Sequence, residues 1–266
     1  MRPSSCLTLR QVSVPRRLAT ISAQVSPGSL IHIIGPNGAG KSTLLACIGG
    51  LMPAAGDISL LGRPVAQWHG ADLALRRGYL CQQALPYAAM PVFQYLMLHQ
   101  PHNADEAAVD RTVGYLAAAL SLGDKLNRPL NQLSGGEWQR ARLTAALLQI
   151  WPAVNPLATL LLLDEPAASL DIAQRVALDA LLAELTDAGI AVLACAHDLN
   201  HTLHHASRVW LMSSGNLAAQ GSVGQVMRPD VLSPVFGVDF TLLQAGGRRW
   251  LVASGAPSQV VSGAFC

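Results

Sequence analysis

The sequence predicts an α/β domain built round a mainly parallel sheet with helices on both faces. Three observations predict it. Late in the chain, short and nearly continuous apolar runs at 159–163 and 190–196 alternate with helical stretches at 172–188 and 199–206. That is the pattern of parallel strands buried on both faces. Earlier, a β-like run at 30–34 passes through a Gly-rich loop straight into a helical stretch at 42–51, a strand–loop–helix unit. Between the two, residues from about 86 to 149 turn helical and rich in Ala and Leu.

The remaining elements follow from local signals. Runs at 6–12 and 18–24 alternate loosely and are punctuated by Pro15 and Pro27-Gly28, as strands are. Residues 57–61 read as a strand that stops at Gly62-Arg63-Pro64. Helices are expected at 92–99, 104–120 and 136–149. Residues 150–156 carry two prolines and read as a loop. Short strands at 208–212 and 217–220 close the pattern. Beyond residue 253 the chain has linker composition, so 254–266 is set apart as a tail of the kind where disorder concentrates.

Composition narrows the function. The 266 residues are 51% hydrophobic and 13% charged, with a formal net charge of +2. So apolar a chain is not intrinsically disordered, and a nearly neutral one lacks the basic face of a general nucleic-acid binder. The charged fraction is about half the usual ~25%, which suggests outer surface buried against partner subunits. The longest apolar runs fall far short of the roughly 18 residues a membrane span requires. The N-terminus has no apolar core before Arg10-Gln11, so it does not read as a secretory signal. Five cysteines form no C-x-x-C pair and read as reduced thiols. Cys266, being last, is no prenylation box.

Gly35-Pro36-Asn37-Gly38-Ala39-Gly40-Lys41-Ser42 fits G-x-x-x-x-G-K-[ST], with Thr43 following. Glycines let successive N–H groups close round phosphate oxygens, and the next helix turns its positive end to the same anion. Lys41 would reach the β- and γ-phosphates of a nucleotide, and Ser42 would offer a hydroxyl to Mg²⁺. The buried run at 160–163 ends in Asp164-Glu165. Ligands collect at the carboxyl ends of such strands. Asp164 would hold Mg²⁺, directly or through water, and Glu165 would polarise the attacking water. Two adjacent acids favour hydrolysis over binding alone.

Leu133-Ser134-Gly135-Gly136-Glu137-Trp138-Gln139-Arg140 resembles the signature motif of ATP-binding-cassette (ABC) ATPases, which closes over the γ-phosphate on a second subunit. Its chemistry agrees: Ser134 can donate, and Gly135-Gly136 opens a helix whose N-terminus favours anions. Ser134 and Glu137 also spell a capping box, and both readings can hold together. Other positions resemble the family in order: Gln82 the glutamine that meets Mg²⁺ and the membrane subunits, Ser169-Leu170-Asp171 the D-loop, and His197-Asp198 the switch histidine.

The resemblance spans about residues 7–228. It implies a P-loop nucleotide-binding domain over residues 1–253, with an antiparallel β part at the N-terminus. An inserted helical subdomain at about 86–156 would carry the signature. Its apolar 85–97 stretch would receive a permease helix.

Within the family, Trp138, the 149–159 insertion and the 197–203 segment resemble the ATPase subunits of bacterial vitamin B12 (cobalamin) importers. That implies ATP and Mg²⁺ as cofactors and a homodimer on the cytoplasmic face of the inner membrane. The partners would be two permease subunits and a periplasmic binding protein. ATPases of iron–siderophore or haem importers remain an alternative here, as does a non-transport cassette protein acting in DNA maintenance or on ribosomes.

Two details stand apart. The family places an aromatic residue upstream of the phosphate loop to stack on adenine, whereas residues 1–34 contain no Phe, Tyr or Trp. Arg16 or Arg17 could lie on the base instead. His201, His204 and His205 share a helical face, a spacing that can bind metal. With no acid or Cys to complete a set, they read as surface histidines. Trp68, Trp151, Trp210 and Trp250 read as core or interface residues.

Overall fold

The computed structural model describes residues 5–82, 89–102 and 104–255. Among the described residues the strands form one six-stranded sheet and two smaller ones. At the N-terminus β1 (Leu7–Val14) pairs antiparallel with β2 (Leu18–Val25). Next come β3 (Leu30–Ile34), α1 (Lys41–Ile48), β4 (Ala55–Leu60) and β5 (Arg63–Pro64). Strands β2-β1-β4-β5 form a separate antiparallel sheet. The helix after the Gly-rich loop ends at Ile48, short of the expected residue 51. Gly50 there has φ +71°, and a Cβ on it would sit 2.9 Å from Val65.

Three elements are not evident in the sequence: β5, which falls where the sequence predicts the preceding strand to stop, α2 (Gly70–Arg76) and β6 (Arg77–Leu80). The helical part holds α3 (Val92–Met97), α4 (Glu106–Ala119) and α5 (Gly135–Ile150). Then β7 (Leu160–Leu163), α6 (Ile172–Asp187), β8 (Ala191–Cys195), α7 (Leu199–His205) and β9 (Arg208–Ser213) alternate. After β10 (Asn216–Ser222) come α8 (Val223–Val226), α9 (Pro229–Phe236) and a hairpin of β11 (Phe240–Ala245) and β12 (Arg248–Ala253). The last four elements are also absent from the sequence expectations.

The main sheet runs β10-β9-β3-β8-β7-β6. Every pair is parallel except the antiparallel β10–β9 edge. Its centre is buried on both faces because β7 is Leu at all four positions and β8 is Ala-Val-Leu-Ala-Cys. Side chains alternate across a strand. Leu160 and Leu162 therefore join the core shared with the antiparallel sheet and α1, while Leu161 and Leu163 join the core shared with α4, α5 and α6. A third core packs α8, α9 and the final hairpin against β9. Tail residues 256–266 and residues 85–88 of the apolar stretch lie outside the described residues. No helix among the described residues is long and apolar enough to cross a membrane.

Candidate active site

Adjacent parallel strands open a crevice at their carboxyl ends, and β3, β7 and β8 deliver the predicted residues to it. The Gly-rich loop leaves β3 with Gly35 at φ +144°, Gly38 at +78° and Gly40 at +97°. Gly35 has a second reason to be glycine: a Cβ would lie 2.1 Å from the Met212 carbonyl oxygen. Lys41 is buried, and its ammonium donates to the carbonyls of Gly35 at 2.8 Å and Pro36 at 3.0 Å. Burial lowers its pKa, and the Glu165 and Asp164 carboxylates act the other way.

The acidic pair splits into two environments. Asp164 is 2% exposed, and its Oδ1 has no hydrogen-bond partner among the described residues. A buried, unpartnered carboxylate oxygen is costly by itself and is the donor a hard divalent cation takes. With the Ser42 hydroxyl in the neighbouring cleft lining, the oxygen donors present fit Mg²⁺. Glu165 emerges from the strand end, and its Oε1 is shared. Gln82 Nε2 donates to it at 2.9 Å and His197 Nε2 meets it at 2.7 Å. Its backbone has φ +54°, the left-handed region, where a side-chain residue costs about 1–2 kcal/mol. Such outliers concentrate where a side chain must point one way.

One cleft of about 1140 Å³ joins the loop to Glu165, while Asp164, Gly35 and Pro36 lie outside its lining. Residues 37–43 of the loop line it together with Gln82, Glu165 and His197. Arg16 and Arg17 form its upstream wall, and among the described residues no Phe, Tyr or Trp lines it. Ser214 and Gly215 also line it, and sequence reasoning missed them. They are the turn between β9 and β10, with φ +46° and +77°. Gly215 N–H donates to Ala39 O at 3.1 Å, and its carbonyl accepts from Ala19 N–H at 2.9 Å. A Ser-Ser-Gly turn carries no chemical motif, so only the fold reveals its place.

Ser134, Gly135, Gly136, Glu137 and Asp171 do not line this cleft. Ser134 caps α5 in a full capping box with Glu137, whose carboxylate accepts from Ser134 N–H at 2.8 Å. That bond is the main reason Glu137 stays below the ordinary carboxylate pKa; Arg128 and Lys125 add to it. Gly136 faces the segment before α6, since a Cβ on it would be 3.3 Å from Ser169 O. Asp171 caps α6 in the same manner, reciprocally with Gln174. Further along α5, buried Arg142 donates to Gln139 at 3.1 Å and to the Cys81 carbonyl. The helix that starts at Ser134 thereby grips the residue before Gln82.

One sequence reading needs correction. His201, His204 and His205 are not bare surface histidines lacking an acid. Asp179 on α6 faces His201, whose Nε2 lies 2.9 and 3.0 Å from its two oxygens. His204 Nε2 meets Arg249 O at 2.8 Å. The tryptophans divide: Trp210 and Trp151 are buried, Trp68 stacks beneath Arg63, and Trp250 is 39% exposed against His204.

Comparison with known proteins finds relatives along nearly the whole chain. Residues 18–168 match the ABC transporter family. The chain is 60% identical to the vitamin B12 import ATP-binding protein BtuD of Pectobacterium atrosepticum, over 94% of this chain and 100% of that protein. Identity to the BtuD proteins of Yersinia enterocolitica and Salmonella typhimurium is 56% and 47%, over 92% and 94% of this chain and 97% and 99% of theirs. Among solved structures, an ATP-binding subunit of an ABC transporter superposes with TM-score 0.77 at 23% identity, covering 88% of this chain and 96% of that one. A bacterial Atm1-family ABC exporter with ATP bound gives TM-score 0.71 at 22% identity, over 86% and 41%.

Proposed function

We propose a function from the premise that this chain belongs to the ABC transporter family: it is the ATP-hydrolysing subunit of an importer for vitamin B12, working at the cytoplasmic face of the inner membrane. The observation that carries the hydrolytic part is Glu165 Oε1, held between Gln82 and His197 in the cleft that the Gly-rich loop lines. The cargo rests on identity to vitamin B12 import ATPases along nearly the whole chain.

In this reading residues 35–43 hold the triphosphate with backbone N–H groups, and Lys41 turns from the loop carbonyls to the β- and γ-phosphates. Ser42, Asp164 and the amide oxygen of Gln82 would hold Mg²⁺, which when bound neutralises charge on the triphosphate. Glu165 accepts a proton from the water that attacks the γ-phosphate. His197 orients Glu165 and donates toward the γ-phosphate oxygens. Positioning and charge stabilisation carry most of the rate.

The site is completed by a second copy. Ser134, Gly135 and Gly136 would cover the partner's γ-phosphate, and Asp171 would lie along the dimer seam. Their position outside this chain's own cleft supports that reading. So do Ile172 and Val176, 83% and 64% exposed beside Asp171. Two permease subunits would dock on the helical part that follows Gln82, in which Phe93 and Leu98 are 40% and 70% exposed, and a periplasmic protein would deliver cargo. The domain limits 1–253, with a helical insertion at about 86–156, belong to the same proposal.

Mixing variants tests the composite site. Lys41→Ala and Ser134→Arg homodimers each have two defective sites and should be inactive. Their heterodimer has one site with both defects and one with neither, so activity should return in part. Background activity in heterodimers shown to form, with no ATP retained in the intact site, would overturn the shared-site reading.

A further inference from the structure

Outside the ATP cleft, one cluster of metal-ligating side chains lies between α6 and α7. Asp179, His201 and His205 bring one carboxylate oxygen and two ring nitrogens within 4.8 Å of one another. His201 Nε2 is 3.0 Å from Asp179 Oδ2, and His205 Nδ1 is 3.5 Å from the same oxygen. Ligands about 2.0–2.2 Å from a tetrahedral zinc ion stand roughly 3.3–3.5 Å apart. Two of the three edges are therefore already set to within about half an ångström, and closing the third needs only the exposed His205 ring to move.

The two histidine rings lie close enough to share a ligand once the exposed His205 ring turns out of its stack. His201 and His205, one helical turn apart, stack at 4.5 Å and 16°. The buried His32 ring backs His201 at 5.6 Å, with its own Nδ1 engaged by the Thr202 hydroxyl at 3.0 Å. Two imidazoles and a carboxylate suit zinc-class divalent ions and not Mg²⁺ or Ca²⁺, which prefer oxygen. His205 is exposed, so an ion can enter from solvent, and water can complete the shell.

We infer that Asp179, His201 and His205 form a binding site for one zinc-class divalent ion that cross-links α6 to α7. The location gives the ion a lever on catalysis. Asp171 caps α6, and α7 begins two residues after His197. A cavity of about 200 Å³ runs from Asp179 and His201 to Glu165 and His197. A bound ion would fix the switch-histidine segment against the D-loop helix, opposing the rearrangement that turnover requires.

The test titrates the full-length chain with Zn²⁺ calorimetrically and with Co²⁺, whose visible absorption reports a tetrahedral site. One ion per chain should bind, and Zn²⁺ should raise Tm. His205→Gln and Asp179→Asn should each weaken binding about tenfold or more and abolish the Tm rise, while Cys81→Ser leaves both intact. Zn²⁺ should slow ATP hydrolysis more in the parent than in His205→Gln, at fixed excess Mg²⁺–ATP. Saturable binding absent up to millimolar Zn²⁺, or equally strong in parent, His205→Gln and Asp179→Asn, overturns the site. Binding that passes those tests without differential slowing overturns the lever.

Discussion

Glu165→Gln should separate binding of ATP from its hydrolysis. The carboxylate Oε1 accepts two contacts, from Gln82 at 2.9 Å and His197 at 2.7 Å. Glutamine keeps an oxygen in that place, so both contacts can survive and the cleft keeps its shape. It loses the negative charge and the basicity that draws a proton from water. Loss of a positioned base costs about 10²–10⁴-fold, or roughly 3–5 kcal/mol of barrier at 1.36 kcal/mol per decade. None of that loss falls on the Gly35–Thr43 loop, so ATP affinity should change by less than about threefold, under 1 kcal/mol. Steady-state phosphate release and equilibrium ATP binding, measured on the same preparation, read the two effects apart. Size-exclusion chromatography with ATP should also show a trapped dimer. If the variant turns over at more than half the parental rate, Glu165 is not the base.

The other expectations concern neighbouring features. Val is far worse than Gln in the left-handed backbone at residue 165, so Glu165→Val should be about 1–2 kcal/mol less stable than Glu165→Gln; equal urea midpoints would remove the strain argument. Gly35→Ala forces a methyl onto the Met212 carbonyl and should cost at least about 1–3 kcal/mol along with nucleotide binding; normal stability and binding would contradict it. Among the described residues no aromatic side chain lines the base-facing wall beside Arg16 and Arg17. Stacking is worth roughly 1–3 kcal/mol, so without it GTP should be hydrolysed with kcat/KM within about tenfold of ATP. A preference for ATP beyond a hundredfold would show that other groups in residues 14–18 read adenine.

Much of this architecture is legible in the sequence because its signals are local. The Leu-Leu-Leu-Leu run of β7, short and set between a Pro-rich loop and two acids, reads as a doubly buried strand, and the Gly-rich loop with Lys41 and Ser42 states its chemistry in eight residues. The Ser134 and Glu137 capping box fixes the start of α5 from four. What escapes is of two kinds. β6 is four residues long and takes its place only by pairing with β7, a contact no periodicity encodes. Asp179 meets His201 only because α6 and α7 pack side by side, so an acid 22 positions away cannot be counted from the sequence. Ser214 and Gly215 reach the cleft for the same reason. The β11–β12 hairpin is different, since its Gly246-Gly247 turn between two alternating runs is a readable hairpin signal.

The central claim is that ATP hydrolysis at Glu165 drives vitamin B12 across a membrane. The direct measurement is uptake of labelled cobalamin into vesicles carrying this chain with its permease subunits and the periplasmic binding protein. ATP and Mg²⁺ should produce cobalamin accumulation with the parent chain and none with Glu165→Gln. Accumulation of an iron–siderophore or haem in place of cobalamin, or cobalamin uptake undiminished in Glu165→Gln, would contradict the account.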